Sequence, residues 1–204
     1  MARAFSKRER EIIRQKLIEK GRQAFSTFGL KKTSMDDLAQ AVGISKGSFY
    51  AFFDSKEDMY LDIIEAEESR FREQVMARVS SDQSVTKQSL KTFILESMRL
   101  MEMNPLLRRM HEQDELNQFL QTVSPDRVSK HFQKDEDWLR NLVASWQEQG
   151  IIVDGNPQVI AGALVIIITS SLYKDSLGGK NYPEAINLLV DLVASGLTTK
   201  NQGT

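Results

Sequence analysis

The 204-residue sequence reads as an all-α protein of about nine helices, an N-terminal three-helix domain followed by a larger helical domain. Three observations predict this. Apolar residues recur at three- and four-residue spacing through almost every segment, and nowhere alternate as a strand does. Helix starters precede those segments, with Ser34, Ser45 and Ser55 as caps and Pro125 and Pro157 at first turns, while Gly29, Gly43 and Gly150 follow them. Finally, residues 33–56 contain two short helical patterns joined by a Gly-containing turn, the layout of a helix-turn-helix.

Residues 1–6 read as a flexible arm. Lys7–Phe28 is an amphipathic helix with Ile12, Ile13, Leu17, Ala24, Phe25 and Phe28 toward the core, and Gly29 lies past its end. Ser34 caps the next helix, with Asp36 and Asp37 in its first turn, where the dipole favours acids. Leu38, Ala39 and Val42 share a face, and small Ala39 permits a close crossing by the next helix, about Lys46–Phe53. Phe49 and Phe53 return to the same core, and Ser55 with Asp58 opens a helix running to Val79. After a polar loop at 80–86, Lys87–Met103 is helical until Asn104-Pro105 breaks it, and Leu106–Gln121 continues as one piece. Helices follow over 125–149 (Val128, Phe132, Leu139, Leu142, Val143 and Trp146 inward), 157–174 and 183–198 (Ile186, Leu189, Val190, Val193, Leu197), with a loop at Asp175–Asn181.

Composition narrows the function. There is no cysteine, which removes disulfides, thiolate metal sites and Cys nucleophiles. The charged N-terminus lacks an apolar signal segment, and the apolar run Val159–Ile168 is about half of a membrane span, so a soluble cytoplasmic protein is expected. No Ser-His-Asp order, phosphate loop or carboxylate pair points to an enzyme. His111 with Glu115 and His131 with Asp135 stand at i, i+4, but two ligands do not make a metal site, and neither metal nor cofactor is expected. Residues 1–56 carry 12 Lys/Arg against 6 Asp/Glu, a net of +6, so the remainder carries −7. Only the first part suits a polyanion.

The run DLAQAVGISKGSFYAFFDSKED resembles the DNA-binding signature of the TetR family of bacterial transcriptional regulators. The resemblance covers about the first quarter of the chain. Its carriers are the Gly-Ile-Ser-Lys-Gly turn, Phe49, Tyr50, Phe53 and the Ser55-Lys56-Glu57 opening. Phe52 departs, standing where members often have a Tyr or His that reaches a phosphate. The resemblance implies a DNA-binding domain over 1–55 and an effector-binding, dimerising domain over 56–204. Ser45, Lys46, Gly47 and Ser48 are then expected near bases, and Thr33, Ser34, Tyr50 and Lys56 on phosphates. Lys56, at a helix start, can share a phosphate with backbone amides.

Met98, Met101, Met103 and Met110 are four of the eight methionines, clustered around the break at Pro105. Flexible, polarizable side chains beside a broken helix suggest a pocket wall. With Phe93, Leu107, Phe119, Trp138 and Trp146, and His111 as a polar anchor, the expected guest is small and apolar or aromatic; Arg108 and Arg109 are placed to hold one carboxylate. The last two helices, apolar on several sides, are expected to pair with a second copy. The reading is a homodimeric repressor released from a pseudo-palindromic operator by such an effector. An activator or effector-independent regulator with the same DNA-binding domain is the alternative, and an enzyme or protein-binding module with a vestigial helix-turn-helix is a remoter one.

Overall fold

The computed structural model describes residues 5–79, 86–177 and 179–198. Among these the fold is all-α, with one isolated antiparallel bridge between Ile152 and Thr198. The helices are α1 (Lys7–Lys32), α2 (Met35–Ala41), α3 (Lys46–Phe49), α4 (Lys56–Val79), α5 (Lys87–Met103), α6 (Pro105–Met110), α7 (Gln113–Thr122), α8 (Pro125–Glu148), α9 (Pro157–Ser170), α10 (Lys174–Leu177) and α11 (Tyr182–Leu197). The expected loop at 80–86, apart from Thr86, lies outside the described residues, as do residues 1–4 and Gly178.

The chain packs into two compact units, Met1–Glu68 with Pro105–Val128, and Ser69–Asn104 with Ser129–Thr204. This packing division differs from the functional one drawn at residue 55. In the first unit Leu17, Phe25, Leu30, Phe49, Tyr60 and Phe119 are fully buried together. Phe25 meets Tyr60 edge-on at 5.0 Å, the favoured aromatic geometry. The second unit closes around Phe93, Ile94, Val143, Trp146, Leu164 and Val190, with Phe93 edge-on to Trp146 at 5.2 Å. Helices α9 and α11 both pack on α5 there.

Several elements differ from the sequence reading. Residues 5–6 are not a loose arm: Ser6 caps α1 in a reciprocal box with Glu9, and the Phe5 ring lies 5.8 Å from Phe52. α1 continues beyond a break at Gly29 to Lys32. Ile12 and Phe28, placed in the core by spacing, are exposed. Ile12 lies across the helix from the Leu17–Gly21–Phe25 stripe, and Phe28 lines an open hollow between α1 and α2. The second helix of the helix-turn-helix ends at Phe49, where Ala51 and Phe52 turn to i→i−3 hydrogen bonds. Leu106–Gln121 is two helices, separated where Glu112 takes extended backbone. Asp175–Asn181 is not a simple loop: Ser171, at the end of α9, keeps helical backbone, and the chain coils on through Tyr173 into α10. Phe132 and Leu189, expected inward, are exposed.

The apolar stretch also extends further than expected. Pro157–Leu177 is long and apolar enough, by length and hydropathy alone, to cross a membrane. Its Ile160, Leu164, Ile167 and Ile168 instead belong to the second unit's core.

Candidate nucleic-acid interface

The helix-turn-helix is assembled by caps. Ser34 Oγ accepts from the Asp36 amide at 3.2 Å and starts α2. Gly43, at φ 78°, turns the chain where a left-handed residue is needed, and the Ile44 amide folds back to Ala39 O at 3.0 Å. Ser45 Oγ then accepts from the Ser48 amide at 3.2 Å and starts α3. Leu38, Ala39, Phe49 and Phe53 are buried beneath, with the Phe49 and Phe53 rings 5.8 Å apart.

This burial leaves Ser45, Lys46, Gly47 and Tyr50 exposed on one short helix, with Ser48 half-buried among them. A Cβ added at Gly47 would meet only Ser45 Oγ, at 3.9 Å. The protein's own packing therefore does not demand glycine there, and the bare backbone is open to an approaching molecule. Lys46 Nζ donates to Asp36 Oδ2 at 2.8 Å, a bond that raises the ammonium's pKa and keeps it charged. The acid on this face is thereby neutralised.

Other expected contacts are already occupied. Thr33 is buried and its hydroxyl donates to Gly29 O at 2.7 Å. Lys56 Nζ donates to Leu30 O at 2.8 Å, Thr33 O at 2.9 Å and Lys31 O at 3.4 Å. Here it caps the C-terminus of α1, where a cation complements the helix dipole. Phe52, the departure from the signature, sits under the Arg10 guanidinium at 5.5 Å from its centroid, while Arg10 donates to Ala51 O at 2.7 Å. Arg14 covers Phe53 at 5.0 Å and pairs with Asp62 at 3.0 Å. Arg127 from the start of α8 bonds Asp62 at 2.9 Å and also Asp58, whose Oδ2 accepts from the Ser55 hydroxyl that caps α4. The sequence reading missed these arginines; an aromatic at 52 where a polar residue was expected was the available signal.

The residues expected to form one effector pocket are divided between the units. Met110 and Phe119 lie in the first core, Leu107 is buried in the same unit, and His111 Nδ1 is 2.9 Å from Leu107 O of its own turn. Phe93, Met98 and Trp146 lie in the second core, with Met101 packed against it. The break at Pro105 is where the chain passes from one unit to the other, so the methionines do not ring one cavity. Trp138 lines an open groove of about 490 Å³ with Arg72, Lys130 and Lys134, and the Arg72 guanidinium stands 5.6 Å from its ring. Arg109, expected to hold a ligand carboxylate, donates instead to Ser26 O and Thr27 O, both at 2.9 Å.

Residues 17–63 match the family described as bacterial regulatory proteins, tetR family. The transcriptional regulator AcrR of Shigella flexneri is 30% identical over 95 residues, 45% of this chain and 44% of AcrR. The curated relatives that the chain matches are thus aligned over less than half of their own length. The fold is shared over most of the chain. A TetR-family regulator from Pectobacterium atrosepticum superposes with a TM-score of 0.69 at 21% identity, covering 96% of this chain and 99% of that one. AibR, solved with isovaleryl coenzyme A and operator DNA, superposes with a TM-score of 0.60 at 18% identity over 88% and 97% of the two chains.

Proposed function

We propose, from a chain whose residues 17–63 match the tetR family of bacterial regulatory proteins, that this protein is a dimeric repressor of transcription that binds operator DNA through α2 and α3. The observation that carries this is the exposed row of Ser45, Lys46, Gly47 and Tyr50 on a helix whose glycine the protein does not itself require. Bases are met by Ser45, Lys46, Gly47 and Ser48, and phosphates by Ser34 and Tyr50. Thr33 and Lys56 serve chiefly by holding the end of α1, their polar atoms being engaged there. The functional boundary lies near residue 55, and the site of action is the cytoplasm.

Two half-sites require two copies. α9 turns Val159, Gly162, Ala163 and Ile166 outward, and α11 turns Ala185, Leu188, Leu192 and Gly196 outward. Val159, Ile166, Leu188 and Leu192 are each more than 60% exposed. Each face is apolar and lined with small residues, so a second helix can approach closely and bury it. Pairing of both helices with their copies supplies a two-fold interface. The effector is a small molecule with an apolar or aromatic part, taken up by the second unit near Phe93, Met98, Met101 and Trp146. The acyl coenzyme A bound by the structural neighbour AibR is a precedent for such a class. Binding releases the operator by shifting the separation of the two recognition helices.

Selection of duplexes from a random library by the full-length protein, followed by fluorescence anisotropy, tests this reading. An enriched, two-fold symmetric duplex is expected, with affinity falling steeply as salt rises. Lys46→Ala should weaken the enriched duplex by about tenfold and relax its preference at one position per half-site. Enrichment of no duplex, or binding indifferent to salt, would overturn it.

A further inference from the structure

We propose that Arg109 and Glu115 are positioning residues for the helix-turn-helix, a two-pronged clamp on the broken end of α1 that sets the direction in which α2 and α3 leave it. The inference rests on the DNA-binding reading above and adds the residues through which the segment at 105–128 acts on it.

At Gly29 the chain has φ 76° and ψ 177°, so the helical hydrogen-bond ladder cannot run through it. The groups around such a break need partners, because a buried backbone polar group left unpaired is costly. Here side chains from two other helices serve them. The Leu30 amide donates to Glu115 Oε1 of α7 at 2.6 Å. Ser26 O accepts from Arg109 Nε of α6 at 2.9 Å, and Thr27 O from Arg109 Nη2 at 2.9 Å. Glu115 is 8% exposed and Leu30 fully buried, so water does not substitute readily for either.

The fit is tight on the α1 side. A Cβ at Gly29 would stand 2.6 Å from Glu115 Oε2 and 3.2 Å from Arg109 Nη1. Beyond the clamp there is no loose joint before the reading head. Thr33 Oγ1 returns to Gly29 O, Lys56 Nζ gathers the carbonyls of Leu30, Lys31 and Thr33, and Ser34 caps α2 directly. A shift of α6 or α7 is therefore carried into α2 over the six residues from Gly29 to Ser34. Cap removal alone would loosen α1 locally; a positioning clamp also changes which DNA is bound.

The test uses the full-length protein, the duplex enriched above, and a scrambled duplex of equal length. Glu115→Ala and Arg109→Ala should weaken the enriched duplex by at least about tenfold, since fewer molecules hold the competent orientation. The scrambled duplex, held by phosphate contacts, should change by less than about twofold. In Glu115→Ala the Leu30 amide should exchange with solvent about tenfold to a hundredfold faster by NMR, while Leu17 and Phe25 amides of the same helix keep their protection. Glu115→Gln retains an oxygen for the Leu30 amide and should recover most of both effects. If Glu115→Ala fails to fold, Glu115→Gln and Arg109→Gln carry the comparison, with Arg109→Gln expected to lose duplex discrimination. Wild-type discrimination kept by folded variants overturns the clamp alone and leaves the repressor reading standing. Leu30 exchange rising in step with Leu17 and Phe25 also overturns it, as general loosening. A wild-type protein that enriches no duplex overturns the DNA-binding reading itself and the clamp with it.

Discussion

Gly29→Ala is the substitution whose cost the structure allows to be worked out in parts. The backbone there, φ 76° and ψ 177°, lies in a region that only glycine occupies without strain, worth about 1–3 kcal/mol for any other residue. The new methyl would also stand 2.6 Å from Glu115 Oε2, so the carboxylate must leave the Leu30 amide. Losing a buried hydrogen bond to a charged group costs about 1.5–3 kcal/mol. The total, about 2.5–6 kcal/mol, is a large part of the 5–15 kcal/mol typical of a whole domain. Gly43 is the control. It has nearly the same φ, 78°, but nothing within 4 Å of an added Cβ, so Gly43→Ala should cost only about 1–2 kcal/mol. Urea unfolding followed by circular dichroism, with slopes compared as well as midpoints, measures both. In a Glu115→Ala background the methyl meets no carboxylate, and Gly29→Ala should then cost only its backbone strain, about 1–3 kcal/mol. Equal losses for Gly29→Ala and Gly43→Ala in the otherwise wild-type chain would refute the reasoning, because the carboxylate contribution would then be absent.

Burial pushes the Tyr60 hydroxyl pKa well above its ordinary value, with the Glu115 charge adding to it, so the folded state keeps a proton that the unfolded chain releases from about pH 10 upward. Stability must fall with rising pH in that window, by up to about 1.4 kcal/mol per unit, and Tyr60→Phe should flatten the alkaline limb of a Tm-against-pH curve; an unchanged limb would exclude Tyr60 as its source. Ile166→Asp, at a residue 72% exposed in the single chain, should leave the fold intact by circular dichroism and yield a monomer by light scattering at micromolar concentration; a persistent dimer would exclude α9 from the interface.

Helix existence was legible because each start and stop has a local cause. Ser34, Ser45 and Ser55 accept from the amides expected of caps, and Gly43 takes the positive φ its position needed. Extent was less legible. Phe28 falls on the buried stripe by angle yet is exposed, because it borders an open hollow between α1 and α2. Periodicity reports which face a residue is on, and whether a neighbour reaches that face is a tertiary matter. The break at Glu112 has no Pro or Gly to announce it, and neither residue type marks the continuation of α9 through Tyr173.

The candidate site divides in the same way. Lys46, Gly47 and Tyr50 could be placed outward because the alternate positions, Phe49 and Phe53, had to go inward, and the structure exposes all three. Roles that depend on what a long side chain finds were not accessible from spacing. Lys56 has three carbonyls of α1 within reach, brought there by the chain's return 23 to 26 residues later. Arg109 and Glu115 looked like a ligand contact and half of a weak His-Glu pair. They meet Ser26, Thr27 and Leu30, more than 80 residues away in sequence. The methionine cluster misled for a related reason. Pro105 signalled a break correctly, but a break opens a pocket only if both halves stay in one core, and here Met98 and Met110 enter different ones. The same break that disperses the expected pocket delivers Arg109 and Glu115 to α1. Beside Leu106, Met110 and Phe119 in the core, the segment thus brings the first unit a set of charged contacts on one helix end, a feature that no count of apolar residues around Pro105 would have revealed.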